Sequence, residues 1–278
     1  MKNLLAAFGV RVEKAVITRE TGQRLTGKVA IVTGGDTGIG KAISQAFARE
    51  GANVIIDYHG DASPATSLAA QINGDGNGEA FPVGADITKA GEVAVLIETA
   101  IRRYGRLDIL VNNAGTEEEH PFLEMPLEVY EKVIATDLTG VWLCTQAAAK
   151  RMVDGGRGGR IINISSIHEE IAMPKNAPYC AAKAGVRMLA RTLAVELAPY
   201  KITVNNVCPG AIDTPMDKNV KRDPGKHEKL LEEIPLRRMG QPDEVAAMCV
   251  YLASEEASYV TGASLFIDGG MSKNSGSL

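Results

Sequence analysis

The chain has 278 residues, of which 45% are apolar, 23% are charged and 29 are glycines. This is the composition of a globular protein of one large or two small domains, and it excludes a disordered or fibrous chain. Thirty basic against 34 acidic residues give a formal net charge of −4, which argues against a nucleic-acid footprint, and no apolar run approaches the ~18 residues that a membrane-spanning helix needs. Residues 1–25 open with one lysine and a short apolar stretch, Leu4 to Val10, that Arg11 interrupts. The stretch is at the lower limit for a signal peptide and no small-residue cleavage site follows, so the segment is expected to be an extension. From Lys28 onward, short β-branched runs alternate with longer segments of helical period, the pattern of repeated βαβ units around a parallel sheet. The predicted strands are Val29–Thr33, Asn53–Asp57, Glu79–Val83, Leu107–Val111, Arg160–Ile164, Ile202–Val207 and Ser264–Ile267. Most are continuous apolar runs, as strands covered on both faces should be. Gly40–Glu50, Glu92–Tyr104, Leu127–Val153 and Tyr179–Leu197 are predicted helices. Gly155–Gly159 reads as a glycine-rich turn, and Ala211–Met239 as a long, charged, irregular excursion of the lid or binding-loop kind. The cysteines, at 144, 180, 208 and 249, form no CxxC pair. Neither a zinc site nor a disulfide frame is indicated.

The first chemical signal follows the first predicted strand, where Thr33-Gly34-Gly35-Asp36-Thr37-Gly38-Ile39-Gly40 runs into a helix. A strand that turns sharply into a helix needs residues without a Cβ where backbone approaches a pyrophosphate. The helix N-terminus then offers free N–H groups and partial positive charge to the anion. About 20 residues further on, the end of the second strand should carry the residue that meets the adenosine ribose. Here it reads Ile56-Asp57-Tyr58-His59. An Asp57 carboxylate accepts from a ribose 2′-hydroxyl and repels a 2′-phosphate, and no Arg or Lys lies beside it in sequence, so NAD is favoured over NADP. The acidic residue that usually selects NAD would, however, fall one position later, on Tyr58. The second signal is Tyr179 and Lys183, four residues apart on one predicted helix face. A neighbouring ammonium stabilises a phenolate and lowers the tyrosine pKa towards the working range of a base. Ser165-Ser166, at the end of the fifth strand, would face the same crevice outside the carboxyl ends of the strands.

Together these segments resemble the short-chain dehydrogenases/reductases. Thr33–Gly40 matches their TGxxxGIG turn, Asn112-Asn113-Ala114-Gly115 their NNAG segment, and Tyr179-Cys180-Ala181-Ala182-Lys183 their YxxxK motif. Pro209-Gly210 and Asp268-Gly269-Gly270 follow in register, so the resemblance covers about Leu25 to Met271. It implies Tyr179 as the general acid/base, Ser166 as the group orienting the substrate oxygen, and Lys183 as the residue that holds the nicotinamide ribose and tunes the tyrosine. The implied dinucleotide site comprises Gly34, Asp36, Thr37, Gly38, Ile39 and Gly40 of the turn, Asp57 and Tyr58 for the ribose, and Asp86 and Ile87 near the adenine. It continues through Asn113, Ala114 and Gly115, Tyr179 and Lys183, and Pro209, Gly210, Ile212 and Thr214. The family's fourth catalytic member is an asparagine, and this chain has Asp137 in its place within Ala135-Thr136-Asp137-Leu138-Thr139-Gly140. A carboxylate accepts from a relay water but cannot donate as an amide does, and its charge favours the lysine cation while raising the tyrosine pKa. Activity is expected to survive the change.

Within the family, the runs Ser165–Glu169, Gly210–Pro215 and Glu256–Gly262 resemble those of bacterial glucose 1-dehydrogenases. Ser166, Tyr179, His168 and Glu117 are therefore the candidate substrate contacts, with Glu117–Glu119 equally readable as a solvated loop. Lys218, Lys221, Arg222, Lys226 and Lys229 interleave with acidic residues and no aromatic, which fits a solvated lid better than a nucleic-acid patch. The expected fold is α/β: a single Rossmann-type doubly wound domain over residues 26–271, with a predominantly parallel seven-stranded sheet and helices on both faces. The tail 272–278 follows it. The expected function is hydride transfer between NAD, or NADP, and a secondary alcohol or ketone, with a sugar or polyol such as glucose preferred. The alternatives are a reductase of 3-oxoacyl thioesters or general ketones, and a non-catalytic dinucleotide-binding, redox-responsive protein. No metal, nucleic acid or membrane partner is expected, and a cytoplasmic homo-oligomer, a tetramer by resemblance, is.

Overall fold

A computed structural model describes residues 23–215 and 223–273. The expected extension up to residue 22, the predicted lid cations Lys218, Lys221 and Arg222, and the tail from residue 274 lie outside the described residues. All seven predicted strands form: β1 (Val29–Val32), β2 (Asn53–Tyr58), β3 (Ala80–Gly84), β4 (Ile109–Asn112), β5 (Gly159–Ile164), β6 (Ile202–Pro209) and β7 (Ser264–Ile267). They make one sheet in the order β3-β2-β1-β4-β5-β6-β7, with every pairing parallel. The helices among the described residues are α1 (Gly38–Arg49), α2 (Ser63–Asp75), α3 (Ala90–Tyr104), α4 (Leu127–Ile134), α5 (Val141–Gly155), α6 (Ala177–Glu196), α7 (Pro224–Glu233) and α8 (Pro242–Ala253).

The alternation of side chains along a strand explains why the strands read as unbroken apolar runs. In β1, Ala30 and Val32 face a core built with Ile43 and Phe47 of α1, Leu68 of α2 and Val245 of α8. Val29 and Ile31 face the opposite core, with Leu96 of α3, Cys144 of α5 and Ala190 of α6. Both faces of the sheet are thus covered, and polar residues are excluded from either parity of the strand. The chain leaves β1 towards β2 on one side and reaches β4 on the other, so the connections diverge at the carboxyl ends of β1 and β4. That divergence opens the crevice in which α/β sheets bind ligands.

Two segments depart from the sequence-based expectation. The predicted single helix over Leu127–Val153 is one helical run from Leu127 to Gly155, but residues Ala135–Gly140 within it form a π-helical turn. Such a turn inserts a residue into the helical ladder and re-aims a side chain, frequently at a functional site. The side chain re-aimed here is Asp137. The predicted irregular excursion Ala211–Met239 contains helix α7, capped by Asp223, whose carboxylate accepts from the backbone N–H groups of Gly225 and Lys226 at 3.1 and 3.2 Å. None of its residues is buried, so it has no apolar stripe by which periodicity could reveal it. Among the described residues, no helix is long and apolar enough to cross a membrane.

Candidate active site

The crevice starts at the β1–α1 turn. Gly34 has φ +55°, in the left-handed region, and a Cβ at Gly40 would come to 2.1 Å from the Gly34 carbonyl oxygen. Only residues without side chains let the turn close this tightly. Helix α1 begins at Gly38 with no side-chain cap from Thr37 and no acidic residue in its first turn. Its first amides therefore point out of the helix without acceptors, with the positive end of the helix dipole behind them. A groove of about 300 Å³ lies beside it, lined by Asp36, Thr37, Gly38, Lys41 and Pro215 among others. The loop after β6 reaches across, so that a Cβ on Gly38 would stand 3.7 Å from Thr214. A bare helix N-terminus, a side-chain-free cradle and a covering loop fit the pyrophosphate of a dinucleotide.

The side chains of two predicted cofactor residues, Asn113 and Asp57, bond to the turn itself. Asn113 donates from Nδ2 to the carbonyls of Thr33 and Gly34 at 2.9 and 2.8 Å, while the Thr33 hydroxyl accepts from the backbone N–H groups of Asn113 and Ala114. Its amide donors are thus committed to the main chain. Asp57 needs correction. Expected to meet the ribose, it is only 2% exposed and accepts from the Gly34 N–H through Oδ2 at 3.2 Å. The second oxygen is buried without a protein partner. Burial, with added repulsion from Asp36 and Asp86 against the opposing Gly34 and Ala85 N–H groups, pushes its carboxyl up to about 8. Tyr58, half-buried and packed against Gly84, and Lys41, on the groove wall, are better exposed to a ribose. Asp86 and Ile87 follow the exit of β3, and the Asp86 carboxylate is held by the Thr88 hydroxyl at 2.6 Å. Ile212, predicted near the cofactor, is 4% exposed and pairs with Gly240, closing the base of the excursion after β6.

The raised Asp57 carboxyl makes a prediction about stability. Between its ordinary value near 4 and about 8, the native state holds a proton that the unfolded chain has lost, so stability falls as pH rises across that window. Asp57→Asn keeps an oxygen for the Gly34 N–H and removes the titration. Calorimetry should show the variant melting higher than the parent at pH 8.5, by about 2–4 °C per kcal/mol regained in a chain of this size. Parallel Tm-against-pH curves for the two proteins would contradict it.

At the other wall, β5 ends in Ser165-Ser166 and α6 brings Tyr179 and Lys183 across from it. The two serines have opposite fates. The Ser165 hydroxyl turns inward to Glu169 Oε2 at 2.7 Å, whereas the Ser166 oxygen accepts from the His168 N–H at 3.1 Å and lies in hydrogen-bonding contact with Tyr179. Lys183 is buried, its Nζ 5.3 Å from the centroid of the Tyr179 ring, donating to the Ile164 carbonyl at 3.2 Å and paired with Asp137 Oδ2 at 3.1 Å. An ammonium has three donors, so one remains for a ligand hydroxyl. The other Asp137 oxygen accepts from the Thr116 N–H at 2.8 Å, and a Cβ on Gly115 would stand 2.9 Å from Oδ2. Asp137 therefore contacts Lys183 directly, at the position where the resemblance places a water-holding amide. Burial opposes the Lys183 charge, but Asp137 and Tyr179 outweigh it and hold its pKa above the ordinary value. Tyr179 departs from the expected lowering: burial raises its pKa, Asp137 and Glu117 add to that, and Lys183 and Ser166 only partly oppose it.

The remaining candidates separate by geometry. His168 directs Nδ1 to the Ile171 carbonyl at 3.0 Å, and its ring meets Tyr179 edge-on at 6.3 Å. Burial lowers its pKa, and a carbonyl partner requires the proton on Nδ1, so the neutral ring leaves Nε2 as an acceptor. Of the three successive glutamates, Glu117 is half-buried and its charge acts on Tyr179, Glu118 is bound by His120 and Lys132, and Glu119 is exposed. Sequence reasoning missed the Thr116 N–H, the Ile164 carbonyl, Glu169 and Arg187. Glu169 closes the Ser165–Glu169 run and Arg187 stands four residues beyond Lys183 on the Tyr179 face of α6, whereas the two main-chain groups leave no sequence signal. Among the described residues, no group of three or more His, Cys, Asp and Glu could hold a metal.

The chain is similar to known proteins over most of its length. The family model described as enoyl-(acyl carrier protein) reductase matches residues 34–272. The chain is 43% identical to glucose 1-dehydrogenase 2 of Bacillus subtilis (strain 168) over 249 residues, covering 89% of this chain and 95% of that protein. It is 44% identical to a 3-oxoacyl-[acyl-carrier-protein] reductase of Synechocystis sp. over 248 residues, covering 89% and 98%. Among solved structures, a short-chain type dehydrogenase/reductase from Mycobacterium marinum matches with a TM-score of 0.84 at 39% identity, covering 89% of this chain and 96% of that one. With the glycine turn, the crevice and the motif order all in agreement, the chain belongs to the short-chain dehydrogenase/reductase family, oxidoreductases acting on CH–OH groups with nicotinamide cofactors.

Proposed function

We propose that the protein oxidises a sugar or polyol at a secondary carbinol, and reduces the matching carbonyl, with NAD as the preferred dinucleotide. The observation that carries the chemistry is the convergence of Ser166, Tyr179 and Lys183 at one end of the crevice, opposite the bare N-terminus of α1. Bound dinucleotide supplies the hydride acceptor or donor. In the oxidative direction, Tyr179 takes the hydroxyl proton onto its phenolate oxygen while Ser166 donates to the same substrate oxygen and fixes its distance. Lys183 stabilises the phenolate, and Asp137 holds the lysine charged and in place. The preference for a hydroxyl-rich substrate rests on the polar surroundings of Tyr179: the His168 ring meets it edge-on with Nε2 as an acceptor, and the Glu117 charge acts on it. It agrees with the sugar named for the Bacillus relative. NAD is preferred because the β2 exit, Tyr58-His59-Gly60-Asp61, carries no arginine to pair with a 2′-phosphate.

The Synechocystis relative supports a second reading, reduction of a 3-oxoacyl thioester. Following the reduced nicotinamide by absorbance over a panel of glucose, rhamnose, polyols and 3-oxoacyl thioesters, with both dinucleotides, separates the two. Sugar-dependent NAD reduction with kcat of order 1–10³ s⁻¹ supports the first. Thioester reduction with no response to any sugar moves the assignment to the second. Silence on all of them, despite dinucleotide binding, overturns both.

A further inference from the structure

A buried polar ladder crosses the centre of the sheet. Asn112 of β4, Asn163 of β5 and Asn206 of β6 are register partners. Their amides run head to tail, Asn112 Nδ2 donating to Asn163 Oδ1 at 2.8 Å and Asn163 Nδ2 to Asn206 Oδ1 at 2.9 Å. A chain of amides that all donate in one direction must end on an acceptor. It ends on Glu169, whose Oε2 accepts from Asn206 Nδ2 at 3.1 Å and whose side chain is fully buried. The same oxygen takes the Ser165 hydroxyl at 2.7 Å, and Oε1 takes the hydroxyl of Ser264, the β7 register partner of Asn206, at 2.5 Å. Arg187 reaches in from α6, its Nε 3.8 Å from Oε1 and an Nη nitrogen 3.0 Å from Glu170.

Ser166 sits inside this knot without belonging to it. The residue before it binds the Glu169 carboxylate, and Glu169 itself, three residues later, donates its N–H back to the Ser166 carbonyl at 3.1 Å. Arg187 lies on the face of α6 that carries Tyr179 and Lys183, so one carboxylate meets both the serine turn and the catalytic helix. We infer that Glu169 is a positioning residue: its buried carboxylate holds Ser165 on one side of Ser166, its backbone N–H holds the Ser166 carbonyl from the other, and through Arg187 the carboxylate reaches the third turn of α6, so that Glu169 sets the separation of Ser166 from Tyr179. His168, beside it in sequence, points the other way into the crevice, so the inference assigns Glu169 no contact with substrate.

The inference rests on the proposed roles of Ser166 and Tyr179, and its test separates the two. Glu169→Gln replaces one acceptor oxygen by a donor where hydroxyls already donate. It is expected to lower kcat about tenfold to hundredfold, as a misplaced reacting group does, with dinucleotide Kd unchanged. Placed in a Ser166→Ala background, it should cost no more than about a further twofold, because both changes act through one contact. Ser165→Ala, which removes one donor and leaves the charge in place, should show the same non-additivity with a smaller loss, and serves if Glu169→Gln does not fold. Independently of turnover, the phenolate absorbance of Tyr179, taken as the difference from Tyr179→Phe, should titrate higher in Glu169→Gln, as in Ser166→Ala. Losses that multiply with Ser166→Ala, or a Tyr179 titration unmoved in Glu169→Gln but moved in Ser166→Ala, overturn the positioning role. A wild-type chain inactive on every alcohol would sink the proposed function and leave the titration to decide this inference.

Discussion

Tyr179→Phe is expected to lower kcat by about 10²–10⁴-fold on whichever alcohol the wild-type protein oxidises, with dinucleotide affinity and Tm nearly unchanged. The change deletes one hydroxyl and keeps the ring. Lys183 retains its place 5.3 Å from the ring centroid, and His168 its edge contact at 6.3 Å, so little packing is lost. What disappears is the atom that exchanges the proton, and neither neighbour replaces it. The Ser166 hydroxyl is a far weaker base than a phenolate, and Lys183, held charged by Asp137, has no lone pair to accept with. Because burial raises the Tyr179 pKa, the oxidative rate of the parent should climb with pH through the alkaline range while the reductive rate declines. Steady-state kinetics with a parallel measurement of dinucleotide binding decide the matter. A phenylalanine variant with more than a tenth of the parental kcat would assign the proton to another group.

Lys183→Met is expected to destabilise the fold by about 3–5 kcal/mol, because it strands the Asp137 carboxylate, whose side chain is wholly buried, without its cation. For a chain of this size that is a fall in Tm of about 6–20 °C. The physical cause makes a sharper statement than the loss itself: adding Asp137→Asn to Lys183→Met should restore most of the stability, since a neutral amide still accepts from the Thr116 N–H and leaves no orphan charge. A double variant no more stable than Lys183→Met would show that the lysine contributes through packing instead. Asp137→Asn alone carries a separate signature. Asp137 is among the causes that raise Tyr179 and hold Lys183 charged. Its removal should therefore move the ascending limb of the oxidative pH–rate profile to lower pH, with the phenolate more available near neutrality.

The π-helical turn at Ala135–Gly140 sets where the Asp137 carboxylate stands. It swings Asp137 out of the regular helical ladder and beneath Lys183, while Gly115 leaves the space a Cβ would take from the carboxylate. The departure from the family pattern could be read in the sequence, but its consequence could not. Periodicity suggests one helix from Leu127 onward, and a π-turn leaves that pattern nearly intact.

By itself, the sequence determined what local chemistry controls. The seven strands follow from apolar runs bounded by turn residues, the tight β1–α1 turn from its glycines, and the common face of Tyr179 and Lys183 from a four-residue spacing. The tertiary structure alone decided which way side chains of equal sequence promise are turned. Ser165 and Ser166 are adjacent and chemically identical, and only the buried Glu169 carboxylate, brought beneath one of them by the packing of β6, β7 and α6, draws the first inward and leaves the second beside Tyr179. Asp57 reads as a ribose ligand at the end of a strand, yet the turn needs an acceptor for the Gly34 N–H and takes its carboxylate. The ladder from Asn112 to Glu169 joins residues by direct bonds across up to 51 positions through strand register. Hydrogen bonds of that kind depend on which backbones lie side by side, and no pattern confined to neighbouring residues encodes it.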